Sequence, residues 1–242
     1  MSGAPRKGKG AAPRAAPRTA KQTARRSSRA LSQFLDEHRE RLAACRQCAL
    51  APGVLPIISQ ARAPRVMLIG QAPGKVEIAD RRPFAGRAGR TLFRWLERAG
   101  LSEAEARERI YIAAITRCYP GPSPSGRGDR VPSPAERAAC APWLERELEI
   151  IRPALLILIG RLAIDRFLGP VPLASVVGEL RSVSHAGGES RVVALPHPSG
   201  ASAWLNDPAH KALVERALDT LRVELSTVDV VRAGTHGARR SA

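Results

Sequence analysis

Residues 65–99 read RVMLIGQAPGKVEIADRRPFAGRAGRTLFRWLERA, and this stretch decides the fold class. Arg65–Ile69 is a short apolar run closed by Gly70, the pattern of a buried strand. From Arg90 to Ala99 the residues Leu92, Trp95, Leu96 and Ala99 recur at helical spacing. Between them, Gly70 to Gly89 reads as a twenty-residue loop, long for a strand-to-helix connection. A strand running into a Gly/Pro-rich loop and then a helix is where open α/β sheets place their ligands. Phe84 in that loop offers a flat face for stacking on a ring.

Working outward, three more apolar runs read as buried strands: Ile110–Ile115 (IYIAAI), Leu155–Ile159 (LLILI) and Arg191–Leu195 (RVVAL). Helical patterns lie around them. Leu31–Cys48 puts Leu31, Phe34, Leu35, His38 and Leu42 on one face. Ser102–Arg109 has Ser102 as N-cap and Glu105 three residues on, a capping box. Ser133 caps a helix from Pro134 to about Ile151. Arg161–Leu168 and Pro208–Leu221 complete the set, and Gly169–Gly188 reads as irregular. Strands alternating with helices predict an α/β fold with a mostly parallel sheet covered on both faces. The expected organisation is a disordered basic arm over 1–30, a domain over 31–225 and a flexible tail over 226–242.

The net charge of +17 points first to a polyanion such as nucleic acid and second to an anionic membrane surface. Nine Lys and Arg fall in residues 1–30 without an acid, and removing them still leaves +8. The arm reads as a tether that raises DNA affinity by counterion release, with an Arg-rich presequence as the rival reading. No apolar run approaches ~18 residues, so no membrane span is expected. With no apolar export segment at the start, a cytoplasmic chain is expected. In that compartment Cys45, Cys48, Cys118 and Cys140 suit metal or cluster ligation better than disulfides. Structural zinc fits a CxxC pair plus two separate cysteines, and buried free thiols are the plain alternative.

The RVVAL run leads into Pro196-His197-Pro198-Ser199-Gly200. Both this loop and the Gly70 loop leave the C-terminal ends of predicted parallel strands, so they converge on one cleft. Arg82, Arg87 and Arg90 flank the first loop, and Arg127 and Arg130 sit in the Gly/Pro/Ser-rich segment Tyr119–Pro134. These arginines are candidates for phosphate contacts that position without reading sequence. His38, His185, His210 and His236 have no supporting context and read as structural or surface residues.

GQAPGKVEIADRRPFAGRAG resembles the first motif of the family 4 uracil-DNA glycosylases, roughly GEAPG-x-x-E-D-x-x-G-x-PFVG-x-AG, without a gap. HPSGAS resembles the second motif of that superfamily, and the four cysteines follow the order of its iron–sulfur members. The resemblance spans about Leu42 to Leu221. It implies a three-layer α/β/α sandwich with a four-stranded parallel sheet, a structural [4Fe-4S] cluster on Cys45, Cys48, Cys118 and Cys140, and a monomer acting on uracil-containing DNA. It also implies a base-excision enzyme that flips deoxyuridine out of the helix and hydrolyses its N-glycosidic bond. Phe84 would stack on uracil, His197 would donate toward uracil O2, and Gln71 and Ala72 would line the other edge.

Ile78 and Arg81 replace the motif's Asp and Gly, and two further departures fall on residues that carry chemistry. Gln71 stands where family 4 has a glutamate, and an amide positions water without accepting its proton. Glu77, which aligns with the motif's own glutamate, or Asp80 would then supply the carboxylate. Ala114 stands where the family reads uracil with an asparagine, leaving Asn206 or Thr116 to read the base edge. Ser199 and Trp204 are expected against DNA, with Trp204 and Leu205 as a wedge for the gap the flipped base leaves. Alternatives in the same superfamily are a uracil-DNA trapping protein without turnover, and a glycosylase for other deaminated or mismatched bases.

Overall fold

The computed structural model describes residues 20–62, 64–126, 128–199 and 203–233, with the side chains of 20–28 and 229–233 outside the description. Five strands form one sheet: β1 (Val66–Gly70), β2 (Ile110–Ala114), β3 (Leu155–Ile159), β4 (Leu180–His185) and β5 (Gly188–Leu195). Their order is β2-β1-β3-β5-β4. The first four in that order run parallel, Leu68 pairing with Ile112 and Ile157, and Ile157 with Val193. The expected four-stranded sheet therefore gains one strand. β4 pairs antiparallel with β5 through a turn at Ala186-Gly187. Its residues LRSVSH are mostly exposed at the sheet edge, so the segment lacks the continuous apolar run that marks the buried strands.

Among the described residues, seven α-helices surround the sheet: α1 (Ala20–Ala43), α2 (Lys75–Asp80), α3 (Arg87–Arg98), α4 (Glu103–Arg109), α5 (Pro134–Ile151), α6 (Arg161–Leu168) and α7 (Pro208–Ala233). Period-two alternation in the strands sorts the core into two layers. Val66, Leu68, Ile157 and Val193 pack on Leu92, Trp95 and Leu96 of α3 and on Leu218 and Leu221 of α7. Met67, Ile69, Leu156 and Leu158 pack on Leu35 of α1, Leu144 and Leu148 of α5 and Ile164 of α6. The result is the three-layer α/β/α sandwich. Ser102 and Ser133 cap α4 and α5 with full capping boxes. No helix of the described residues is long and apolar enough to cross a membrane.

Three expected boundaries move. The helix expected at 31–48 runs from Ala20 to Ala43, so residues 20–30 of the predicted arm are helical; AKQTARRSSRA is rich in good helix formers. Residues 1–19 lie outside the described residues. At the other end α7 continues to Ala233, because Leu221, Leu225 and Val228 keep the helical period and are buried. The tail expected from 226 is thus helical to 233, and 234–242, with His236, lie outside the described residues. The Gly70–Gly89 loop also holds a six-residue helix, α2, too short to stand out by periodicity.

Candidate active site

A pocket of about 460 Å³ opens at the carboxyl ends of β1, β2 and β5. Gln71, Ala72, Glu77, Phe84, Arg87, Ala114, Thr116, Arg130, His197 and Ser199 all line it. The two strand-end loops thus converge as their topology requires.

The first loop is held by its own side chains. The Glu77 carboxylate accepts the backbone N–H groups of Gly74 (3.0 Å), Ala85 (2.9 Å) and Gly86 (3.2 Å). It is buried and acts as a clasp across the loop, a structural role beside the catalytic one expected of it. Phe84 adopts φ 51°, a left-handed conformation that costs an L-residue on the order of 1 kcal/mol or more. Arg107 of α4 holds it there, donating to the carbonyls of Pro83 (2.9 Å) and Phe84 (3.3 Å) while its guanidinium lies 4.3 Å from the centre of the Phe93 ring. Partial burial lowers the Arg107 pKa from its ordinary value. The Phe84 ring then covers Gly70, where an added Cβ would lie 3.0 Å from Cζ. At Gly89 an added Cβ would lie 1.8 Å from the Phe84 carbonyl oxygen, so only glycine admits this turn.

His197 stands opposite, between two prolines. It packs on the end of β3, where a Cβ on Gly160 would come within 3.2 Å of the His197 Cβ. Its Nδ1 accepts the backbone N–H of Ser199 (3.2 Å) and lies 2.8 Å from the Ser199 Oγ. An Nδ1 that accepts leaves the proton on Nε2. Burial lowers the His197 pKa, so the imidazole is neutral at pH 7 and offers Nε2–H as a donor. Ser199, expected against DNA, has its hydroxyl turned to His197.

Other expected residues fall elsewhere. Asn206 is exposed and is absent from the pocket lining. Trp204 is half-buried and stacks on His210 with ring centres 4.1 Å apart, which places it against the core rather than in the cleft. Arg130 lines the pocket but is paired bidentately with Glu136 (2.8 and 2.5 Å). Arg82 is exposed and away from the pocket, while Arg87 is exposed at its rim. Arg127 lies outside the described residues. Thr116 is buried, lines the pocket and has no partner for its hydroxyl among the described residues. Sequence reasoning missed Arg107 and Asp129. Arg107 carries no signal beyond being a helix cation, whereas Asp129 is the sole acid in the basic segment Tyr119–Pro134.

Cys45, Cys48, Cys118 and Cys140 line a second cavity, of about 220 Å³. Two thiols come from the turn after α1, one follows β2 and one lies in α5. Burial, and then the neighbouring thiols, push the Cys118 pKa up to about 12; burial also raises Cys48 and Cys140. The backbone N–H of Arg117 donates to the Cys140 Sγ (3.3 Å). Among the described residues, no group of three or more such side chains is drawn in tightly enough to hold a single ion. The four sulfurs line one cavity, and thiolates are the donors that both an iron–sulfur cluster and a zinc ion take. Beneath the cavity, Glu147 is fully buried and bonds Arg117, Tyr111 (2.8 Å) and His38 (3.3 Å). His38, His185 and His210 are all engaged in such structural contacts.

A doubly wound α/β sandwich with an aromatic shelf and a neutral histidine at its strand ends is the architecture of an enzyme that handles a flat ring. A family model described as the uracil DNA glycosylase superfamily matches residues 58–222, and the chain belongs to this superfamily of hydrolases acting on N-glycosyl bonds. The chain is 31% identical over 173 residues to a type-4 uracil-DNA glycosylase of Archaeoglobus fulgidus, covering 68% of this chain and 81% of that protein. With a type-4 uracil-DNA glycosylase of Saccharolobus solfataricus the identity is 31% over 190 residues, 75% of this chain and 82% of the other. A type-5 uracil-DNA glycosylase of Pyrobaculum aerophilum is 33% identical over 173 residues, 65% and 70% of the two chains.

Proposed function

We propose that this chain is a monomeric, monofunctional uracil-DNA glycosylase of base excision repair. The observation that carries the reading is the pairing in one pocket of the Phe84 ring, fixed over Gly70, with a half-buried His197 whose tautomer is set by Ser199. A flipped uracil stacks on Phe84 while the Nε2–H of His197 faces O2. As the C1′–N1 bond stretches, negative charge moves into the uracil ring. A neutral donor placed in advance stabilises that charge more as it develops than it does in the ground state. Gln71 and the backbone of Ala72 line the pocket beside the base. Ala114 has no polar atom in its side chain, and Thr116, which lines the pocket and whose buried hydroxyl has no partner among the described residues, is the side chain assigned to the base edge. Arg87 at the rim contacts phosphate. Cys45, Cys48, Cys118 and Cys140 hold a [4Fe-4S] cluster that ties the turn after α1 to α5. Its contribution is structural, and every reacting group lies in the other pocket.

The test is uracil release from single-stranded and duplex uracil oligonucleotides, beside His197→Ala. Release that falls by about 10²–10³-fold in the variant supports the reading, the cost of removing one preorganised donor. The loss of the family's Glu and Asn at Gln71 and Ala114 favours one other reading, a uracil-DNA trapping protein. Uracil-dependent binding without release would select it.

A further inference from the structure

We propose that Asp129 is the catalytic carboxylate of this site, standing in for the acid that Gln71 lacks. The inference rests on the glycosylase reading above. Hydrolysis of an N-glycosidic bond leaves a sugar cation and requires something to take a proton from the attacking water. Two carboxylates line the pocket, Glu77 and Asp129. Glu77 is committed to three backbone N–H groups. Asp129 is exposed at the pocket and faces the Tyr119 hydroxyl, whose pKa it helps to raise after burial.

Its position is built. The segment after β2 folds back as a small hairpin in which Pro122 and Asp129 pair antiparallel, Ser123 N–H donates to the Gly128 carbonyl (2.9 Å), and Arg130 N–H donates to the Gly121 carbonyl (3.0 Å). The Arg130–Glu136 pair fastens this hairpin to the start of α5. Asp129 is thereby carried to the glycine turn of the first motif: a Cβ on Gly74 would lie 2.8 Å from Asp129 Oδ2 and 2.9 Å from Glu77 Oε2. Gly74 is three residues past Gln71, and both Gln71 and Asp129 line the same pocket.

In the step, the C1′–N1 bond breaks and its electron pair leaves with uracil, held by His197 Nε2–H. The water oxygen forms the new bond to C1′ and passes one proton to the Asp129 carboxylate, which yields it to solvent. Until then the negative Asp129 carboxylate stabilises the positive sugar. Gln71 orients the water through its amide.

The experiment measures single-turnover uracil release and, separately, binding to a uracil oligonucleotide bearing a non-hydrolysable 2′-fluoro sugar. Asp129→Asn keeps the shape and an acceptor for Tyr119, and should slow release by about 10²–10³-fold while binding changes less than about threefold. Adding Gln71→Glu to Asp129→Asn returns a carboxylate to the other side of the water and should restore at least about tenfold. Tyr119→Phe, which removes only the hydroxyl facing Asp129, should cost no more than about fivefold. Release by Asp129→Asn within threefold of the parent chain overturns the proposal and leaves the glycosylase reading standing. So does a loss of binding that matches the loss of rate, since it marks a packing role. A parent chain that releases no uracil removes the glycosylase reading itself and takes the proposal with it.

Discussion

Replacing Glu77 tests whether this carboxylate is a clasp or a base. In the structure its Oε1 accepts Ala85 and Gly86 N–H and its Oε2 accepts Gly74 N–H. A hydrogen bond to a charged acceptor is worth about 1.5–3 kcal/mol net. Glu77→Gln retains one oxygen for the Ala85 and Gly86 pair but turns an amide NH₂ toward the Gly74 N–H, so it loses one bond and the charge, about 1.5–3 kcal/mol. Glu77→Ala strips all three, and because water reaches part of the loop the low end of the range applies, about 4–5 kcal/mol. Against a typical stability of about 5–15 kcal/mol, the alanine variant stands near the edge of folding. With a urea m-value of about 2 kcal/mol/M, Glu77→Gln should shift the unfolding midpoint by about 1 M. Uracil release should fall about tenfold, chiefly through KM, as Phe84 loosens. An unchanged urea midpoint with release abolished would refute the clasp and return Glu77 to the chemistry.

Arg107→Leu removes the hold on the Pro83 and Phe84 carbonyls and lets Phe84 leave φ 51°; KM for uracil-DNA should rise about tenfold with a smaller change in kcat, measured by steady-state release. Burial depresses the His197 pKa, so the neutral donor persists below the free-imidazole pKa of about 6.5. The rate should hold as pH falls past that value and drop only lower, and His197 should cost stability in the same direction, since the unfolded chain takes up its proton first. Glu136 is held at about 2, first by the Arg130 hydrogen bonds. Its contribution to stability is present above its ordinary pKa of about 4.5 and is lost as pH falls toward 2, so Arg130→Gln should move acid unfolding, followed by circular dichroism, to higher pH. Cys118→Ser should lower bound iron and acid-labile sulfide together and reduce the melting temperature, read by metal analysis and thermal melts.

Much of the fold was legible because its buried parallel strands are continuous apolar runs. VMLIG, IYIAA, LLILI and VVAL are buried on both faces, and that continuous apolar pattern marks them in the sequence. Ser102 and Ser133 marked helix starts through local chemistry that needs no tertiary partner. β4 was not legible because an edge strand is polar, and α2 was not because six residues span fewer than two turns. The extents of α1 and α7 were misjudged where basic composition and chain position looked like loose ends.

The candidate site divides in the same way. Gln71, Phe84, Ala114 and His197 follow directly from strand ends and motif order, since the carboxyl ends of parallel strands must share one edge of the sheet. The amino-acid sequence by itself determined the sandwich, the converging loops and the order of the four cysteines along the chain. Tertiary structure alone decided which polar groups remain available for chemistry. Glu77, Ser199 and Arg130 are spent on partners that are distant in the chain or set by turn geometry, while Asp129 arrives at Gly74 from a hairpin more than fifty residues away. A side chain's role depends on how many of its hydrogen-bonding sites the fold has already used, and that tally exists only after the chain has closed on itself.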